Sequence, residues 1–160
     1  MKTEIINTKL AEKLNRALES EMYASHLYRH FAIQMQFKGY FGTQSFFLNE
    51  SNDELTHFQK LVDFLNDVGY QAIMPAVPEC DEDASSLKEA FTIAFETEKD
   101  LLDLYVSIYK ENDPIVQEVV LGFIKIQRKA VGEYGDLLAR LEIIKDDPCG
   151  MLIFDQEMKQ

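Results

Sequence analysis

The sequence predicts an all-α chain: a four-helix bundle with one long crossover between its second and third helices, and a short fifth helix at the C-terminus. Three observations predict it. Only 4 Pro and 7 Gly occur in 160 residues, which leaves four long stretches free of helix breakers. Within each stretch apolar residues recur at alternating steps of four and three, the seam of a bundle helix rather than the alternation of a strand. The one long connection falls between the second and third stretches, where it can interrupt an up-and-down succession.

The first stretch runs from about Asn7 to Phe37 and stops at Lys38-Gly39-Tyr40-Phe41-Gly42; its seam is Leu10, Leu14, Ala17, Glu21, Ala24, Tyr28, Phe31 and Met35. The second runs from about Thr43, the expected N-cap, to Val68, with Gly69 as a C-terminal stop. Its seam reads Thr43, Phe47, Glu50, Glu54, His57, Leu61, Phe64 and Val68. A loop from Gln71 to Ala84 follows, carrying Pro75, Pro78 and the acidic run Glu79 to Asp83. Ser85-Ser86 offers a cap for the third stretch, which ends near Asn112 and has the seam Leu87, Phe91, Ala94, Glu98, Leu101, Tyr105 and Ile108. Asp113-Pro114 reads as an N-cap with Pro at the first helical position and starts the fourth, which ends around Lys145. The fourth seam is Val116, Val120, Phe123, Gln127, Ala130, Tyr134, Leu137 and Leu141. After a break at Asp146-Asp147-Pro148-Cys149-Gly150, Met151 to Met158 makes one small final helix.

The short links make the first pair and the last pair of long helices antiparallel. A loop of about 14 residues spans roughly 46 Å when extended, and a helix of about 28 residues is roughly 42 Å long. The loop can therefore climb the whole bundle and leave helices two and three parallel. No linker or shift of composition divides the chain, so residues 1–160 read as one domain.

A formal net charge of −12 with 46% hydrophobic residues excludes disorder and argues against a nucleic-acid partner, which needs a basic patch. Anionic membrane surfaces are disfavoured for the same reason, and no apolar run approaches about 18 residues. The start, MKTEIINTKL, lacks the apolar stretch of a secretory signal. Cys80 and Cys149 lie far apart without a CxxC pattern and read as two unpaired thiols of a reducing compartment. A cytoplasmic protein is expected, or an organellar one if a transit peptide preceded this numbering.

Six residues do not belong in an apolar seam: Glu21, Glu50, Glu54, His57, Glu98 and Gln127. A buried unpaired carboxylate costs several kcal/mol or becomes neutral. One such residue alone would read as a tilted position reaching solvent, and one seam His as a hydrogen-bonded core residue. Taken together they argue otherwise, because Glu21, Glu54 with His57, Glu98 and Gln127 all lie near the midpoints of their stretches, whichever way each helix runs. They should meet in one polar cluster. No Lys or Arg stands at any seam position, so the neutralising charge must come from outside, and a metal supplies it. Carboxylates with one imidazole suit iron or manganese. Glu54 and His57 share a helix face at i,i+3 spacing. Glu50, a turn earlier, is either an extra acid beside the site or a surface-leaning residue. The donor set suits two ions. One would take Glu21, His57 and a bridging Glu54; the other would take Glu54 and Glu98. Gln127 adds a neutral oxygen or a water-mediated contact, so the second position should bind more weakly.

These residues resemble the ferritin family over essentially the whole chain. Glu21-Met22-Tyr23-Ala24-Ser25 with Tyr28, Glu54-Leu55-Thr56-His57, Glu98-Lys99 and Gln127-Arg128-Lys129-Ala130 match its ferroxidase-centre motifs in order and spacing, and Gly135-Asp136 and Leu152-Ile153-Phe154-Asp155 look like its fourth and fifth helices. Glu-x-x-His occurs once, with Gln127 and Ala130 on the fourth helix, which is similar to the heavy-chain type rather than to bacterioferritin. Leu55 stands where bacterioferritin carries its haem-ligating methionine, so no haem is expected. The resemblance implies a ferritin-like bundle that oxidises Fe(II) with dioxygen or peroxide at an intra-subunit di-iron centre. It further implies storage of Fe(III) as a mineral inside a homo-oligomeric cage of 24 subunits. Glu21, Glu54, His57, Glu98 and Gln127 would be the ligands. Tyr28 matches the tyrosine beside that centre, where it could hydrogen-bond a ligand or donate an electron as a radical; the plainer reading is a core aromatic with a satisfied hydroxyl.

Some positions depart from the family. The guiding or nucleating acids of the second helix match Asp53, Thr56 and Gln59, of which only Asp53 is acidic; Asp53 and Glu50 are the auxiliary metal candidates. The additional iron site of many bacterial ferritins is expected to be absent, since Gln127, Ala130 and Val131 occupy its positions. Of two acids common at the three-fold pore, Glu118 matches one and Leu121 replaces the other. His26 and His30 read as surface or subunit-contact residues. The competing function is a di-metal carboxylate bundle with other redox chemistry, such as peroxide detoxification.

Overall fold

The computed structural model describes residues 2–159 and contains five helices: α1 Thr8–Lys38, α2 Phe41–Asp67, α3 Leu87–Tyr109, α4 Pro114–Ile144 and α5 Pro148–Glu157. The expected caps at Ser86 and Asp113 form, and Asn7, the expected start of the first stretch, caps α1. The Asn7 side chain accepts the Leu10 N–H at 2.8 Å, Ser86 accepts the Glu89 N–H at 3.1 Å, and Asp113 accepts from Ile115 and Val116 just before Pro114. Gly39, at φ 87°, closes α1, and Gly69, at φ 88°, turns the chain after α2; both conformations favour glycine.

Three boundaries differ from expectation. Thr43 is not the N-cap of α2. The helix begins two residues earlier, Tyr40 offers it no side-chain cap, and Thr43 is buried in the first turn. The cap comes instead from α5, where Asp155 Oδ1 accepts the Thr43 N–H at 2.7 Å and Oδ2 the Gly42 N–H at 3.1 Å. A carboxylate at this end also meets the positive pole of the helix dipole. The second difference is that α3 stops at Tyr109, and Asn112, at φ 58°, bends the link toward Asp113. Finally, α5 starts inside the predicted break. Asp147-Pro148 repeats the Asp113-Pro114 start, and Gly150 sits in the first turn with its N–H held by Asp147 at 2.7 Å.

The main packing partners are α1 with α2 and α3 with α4, joined across the bundle by α1 with α3; α5 sits against α2 and α4. Near the foot of α1 the crossover is pinned by Ile73 N–H to Asn15 Oδ1 at 2.8 Å, and near its top by Ala84 N–H to Gln34 Oε1 at 3.1 Å. Those anchors are separated by about 28 Å of helix, so the crossover climbs the bundle as expected. Every seam position of α1 and α3 is buried. In α2 the buried face drifts from Phe64 to Leu65, because a straight helix departs from a strict seven-residue repeat. Among the described residues, no helix is long and apolar enough to cross a membrane.

Candidate metal centre

Each long helix brings a polar side chain to the middle of the bundle. Glu21 of α1, Glu54 of α2, Glu98 of α3 and Gln127 of α4 are all buried, and His57 of α2 is half-buried. His57 Nδ1 lies 2.9 Å from Glu54 Oε2 and 3.5 Å from Glu21 Oε2. One donor atom from each of the three lies within 4.8 Å of the others, a spacing that one ion can span.

Tyrosines hold the acids from behind. Tyr28 of α1 donates its hydroxyl to Glu98 Oε1, Tyr105 of α3 donates to Glu21 Oε1, and Tyr134 of α4 donates to Glu50 Oε2 at 3.0 Å. Gln127 Nε2 donates to Glu98 Oε2 at 2.7 Å. Two buried oxygens of this cluster have no hydrogen-bond partner, Glu21 Oε2 and Gln127 Oε1. Buried polar atoms are seldom left so, and both are metal-donor types.

Electrostatics point the same way. Burial pushes the Glu54 carboxyl well above the usual range, and Glu21, Glu98 and Glu50 reinforce the shift. Burial also raises Glu98, to about 7, with the charges of Glu21 and Glu50 adding to it and the Tyr28 and Gln127 hydrogen bonds opposing it. Glu21 moves in the opposite direction: burial raises it, but Glu54, His57 and Tyr105 favour the carboxylate and leave its pKa lowered. Among the described residues no Lys or Arg is buried to neutralise this set. Without a cation the site can relieve repulsion only by retaining protons.

A cavity of about 250 Å³ connects the cluster to the surface, lined by Glu50, Asp53, Glu54, His57, Glu98 and Gln127. Lys129 and Glu133, 3.6 Å apart, also line it and are largely exposed. A larger cavity of about 360 Å³ lies between α1, the crossover and α3, and contains none of the seam acids. The residues singled out from sequence therefore fall into two groups and a rim. Glu21, Glu54 and His57 form a tight triad; Tyr28 and Gln127 are each hydrogen-bonded to Glu98. Glu50 is half-buried on the cavity wall, an acid beside the site rather than a surface residue, and Asp53 is exposed at the rim. Tyr105 and Tyr134 were visible in the sequence only as seam aromatics. A signal existed for Tyr105: it follows Glu98 by seven residues, as Tyr28 follows Glu21.

Fold and site together define a helical bundle built around buried carboxylates and one imidazole. A family model described as Ferritin-like domain matches residues 11–144, and the chain belongs to the ferritin family. A ferritin of Pacifastacus leniusculus is 29% identical over 163 residues, covering 93% of this chain and 87% of the relative. A bacterial non-heme ferritin of Staphylococcus saprophyticus is 24% identical over 158 residues, covering 96% and 95%. In fold, the chain is similar to an open pore ferritin from the hyperthermophilic archaeon Archaeoglobus fulgidus, with a TM-score of 0.92, 24% identity and coverage of 96% and 97%.

Proposed function

We propose that this chain is an iron-storage ferritin that oxidises Fe(II) with dioxygen at its mid-bundle carboxylate site and retains the Fe(III) as a mineral. The observation that carries the reading is the triad of Glu21, Glu54 and His57, whose donor atoms lie within 4.8 Å of one another and whose Glu21 Oε2 is buried without a partner. Iron is the substrate here. One Fe(II) is taken by Glu21, His57 and Glu54, with Glu54 shared toward a second ion that also meets Glu98 and the neutral oxygen of Gln127. Two Fe(II) each give one electron to one dioxygen, which takes up two protons from solvent and leaves as hydrogen peroxide. The carboxylates stabilise the Fe(III) products, since harder ions prefer oxygen donors. The protons retained by Glu54 and Glu98 leave as the cations enter.

The proposal extends to one domain that assembles as a 24-subunit homo-oligomer in the cytoplasm. Family membership supports assembly, and so does the exposure of Ile33, Phe37 and Phe41 at one end of the first two helices.

Aerobic addition of Fe(II) tests the reading. The expected result is rapid oxidation at two Fe(II) per chain, followed by a mineral-filled particle of roughly half a megadalton for 24 chains of 18.5 kDa. His57→Ala or Glu98→Ala should slow the fast phase by at least about tenfold, the usual scale for losing a metal contact. A small oligomer that never retains iron would overturn the storage reading. Preferential consumption of peroxide without a retained mineral would favour peroxide detoxification instead.

A further inference from the structure

We infer that Tyr105 is a positioning residue that restricts Glu21 to one open oxygen, so that Glu21 meets its metal ion as a single-oxygen ligand. The inference rests on the metal-site reading above and adds a residue to it. Tyr105 is fully buried on α3, and its hydroxyl donates across the bundle to Glu21 Oε1. The other oxygen, Oε2, has no hydrogen-bond partner and is the one that faces His57 Nδ1, at 3.5 Å. The carboxylate is thus divided into one oxygen that is held and one that is offered.

The phenol is not free to follow the carboxylate if it turns. Its ring stacks on Phe123 with centroids 4.8 Å apart and planes within 8°, and Phe123 in turn meets the His57 ring edge-on at 6.0 Å and 89°. One aromatic column therefore fixes the tyrosine that orients Glu21 together with the imidazole that faces it. Geometry of this kind sets ligand angle and denticity, because chelation through both oxygens would make the metal share Oε1 with the Tyr105 hydroxyl and turn the carboxylate away from the angle that hydrogen bond favours.

Comparison with the second tyrosine separates this role from plain core satisfaction. Tyr28 on α1 holds Glu98 of α3 as Tyr105 on α3 holds Glu21 of α1, but the outcomes differ. Both oxygens of Glu98 are occupied, the second by Gln127, whereas Glu21 keeps one open. Tyr105 therefore holds Oε1 and leaves Oε2, on the side of Glu54 and His57, as the oxygen for an incoming ion.

Tyr105→Phe removes one atom and leaves the ring stack in place, and helicity with thermal melting confirms that the variant folds. The probe is Co(II), whose visible absorption weakens as coordination number rises. Wild type should bind Co(II) at the triad. In Tyr105→Phe the visible band should lose intensity as Glu21 turns to chelate with both oxygens, and affinity for the first ion should fall about tenfold. In a Glu21→Gln background the Tyr105→Phe change should have no further effect on either readout, because the tyrosine acts through Glu21. An unchanged spectrum and affinity in Tyr105→Phe would overturn the inference, as would a shift that persists in the Glu21→Gln background. A wild-type chain that binds no Co(II) would overturn the metal-site reading and this inference with it.

Discussion

Gln127 donates its side-chain N–H to Glu98 Oε2 at 2.7 Å and so closes the carboxylate whose other oxygen already accepts from Tyr28. The two halves of the site are consequently unequal before any ion arrives. If two ions bind as proposed, the triad offers an open oxygen, whereas the second ion would compete with the Gln127 amide for Glu98 and gain only a neutral oxygen from Gln127. Titration with a redox-silent divalent ion such as Zn(II) should therefore show two separated steps. Gln127→Glu replaces the blocking donor by an anionic ligand and should tighten the second step by about tenfold or more, while weakening the metal-free fold by adding a buried charge. Two equal steps in wild type, or an unmoved second step in the variant, would contradict this asymmetry.

The metal-free protein should lose stability as pH rises through neutrality. Glu98 titrates near 7 in the folded chain against an ordinary value of 4.5, and burial moves Glu54 in the same direction. Between those values the folded state binds more protons than the unfolded chain, so this contribution is complete below the ordinary value and is lost as pH rises through the raised one. Glu21, whose pKa is lowered, has the opposite sign, but its contribution is lost only when pH falls below the ordinary carboxylate range. The urea midpoint of the metal-free chain should fall from about pH 5 to about pH 8, and Glu98→Gln should flatten that slope. Zn(II) at the upper pH should restore the midpoint, because the cation replaces the lost protons. A midpoint that rises over this interval would show the acids to be stabilised as carboxylates.

Much of this arrangement was legible because the helical period converts position in a stretch into height in the bundle. Glu21, Glu54, Glu98 and Gln127 could be placed at one level before any contact was known, and the seams of α1 and α3 are buried at every predicted position. What escaped depends on partners remote in sequence. Thr43 has the right residue type for a local cap, yet the cap of α2 comes from Asp155, 112 residues later. Tyr105 at a seam position looks like any core aromatic until its hydroxyl is seen against Glu21. The division of Glu98 between Tyr28 and Gln127 likewise has no signature in spacing alone.

The Asp155 cap makes its own prediction. Its two oxygens serve the first N–H groups of α2, and the carboxylate also faces the positive end of that helix. Asp155→Ala should destabilise the chain by about 1–2 kcal/mol, the range for loss of an N-cap. Asp155→Asn, which retains one acceptor, should cost less. Chemical denaturation of both variants provides the measurement, and a loss below about 0.3 kcal/mol for Asp155→Ala would show that water replaces the carboxylate without penalty.

Gly42 is required by the same junction for a steric reason. A Cβ added there would stand 1.7 Å from the backbone oxygen of Asp155, and backbone atoms cannot yield as a flexible side chain can. Gly42→Ala should therefore push α5 away from α2 and lift the fully buried Phe154 ring from its edge-on contact with Phe91, whose centroid is 5.5 Å away. Exposing such a ring costs about 1.5–3 kcal/mol in transfer free energy alone, so this substitution should exceed Asp155→Ala in effect. The damage should nevertheless be local, since Glu21, Glu54 and His57 lie about a dozen residues or more along their helices from this end, roughly 18 Å away. Hydrogen exchange should find the α5 amides unprotected in Gly42→Ala, while mid-helix amides of α1 and α2 remain slow and Co(II) binding persists. Retained protection in α5 would mean that the α2–α5 junction can shift as a unit to admit the methyl group.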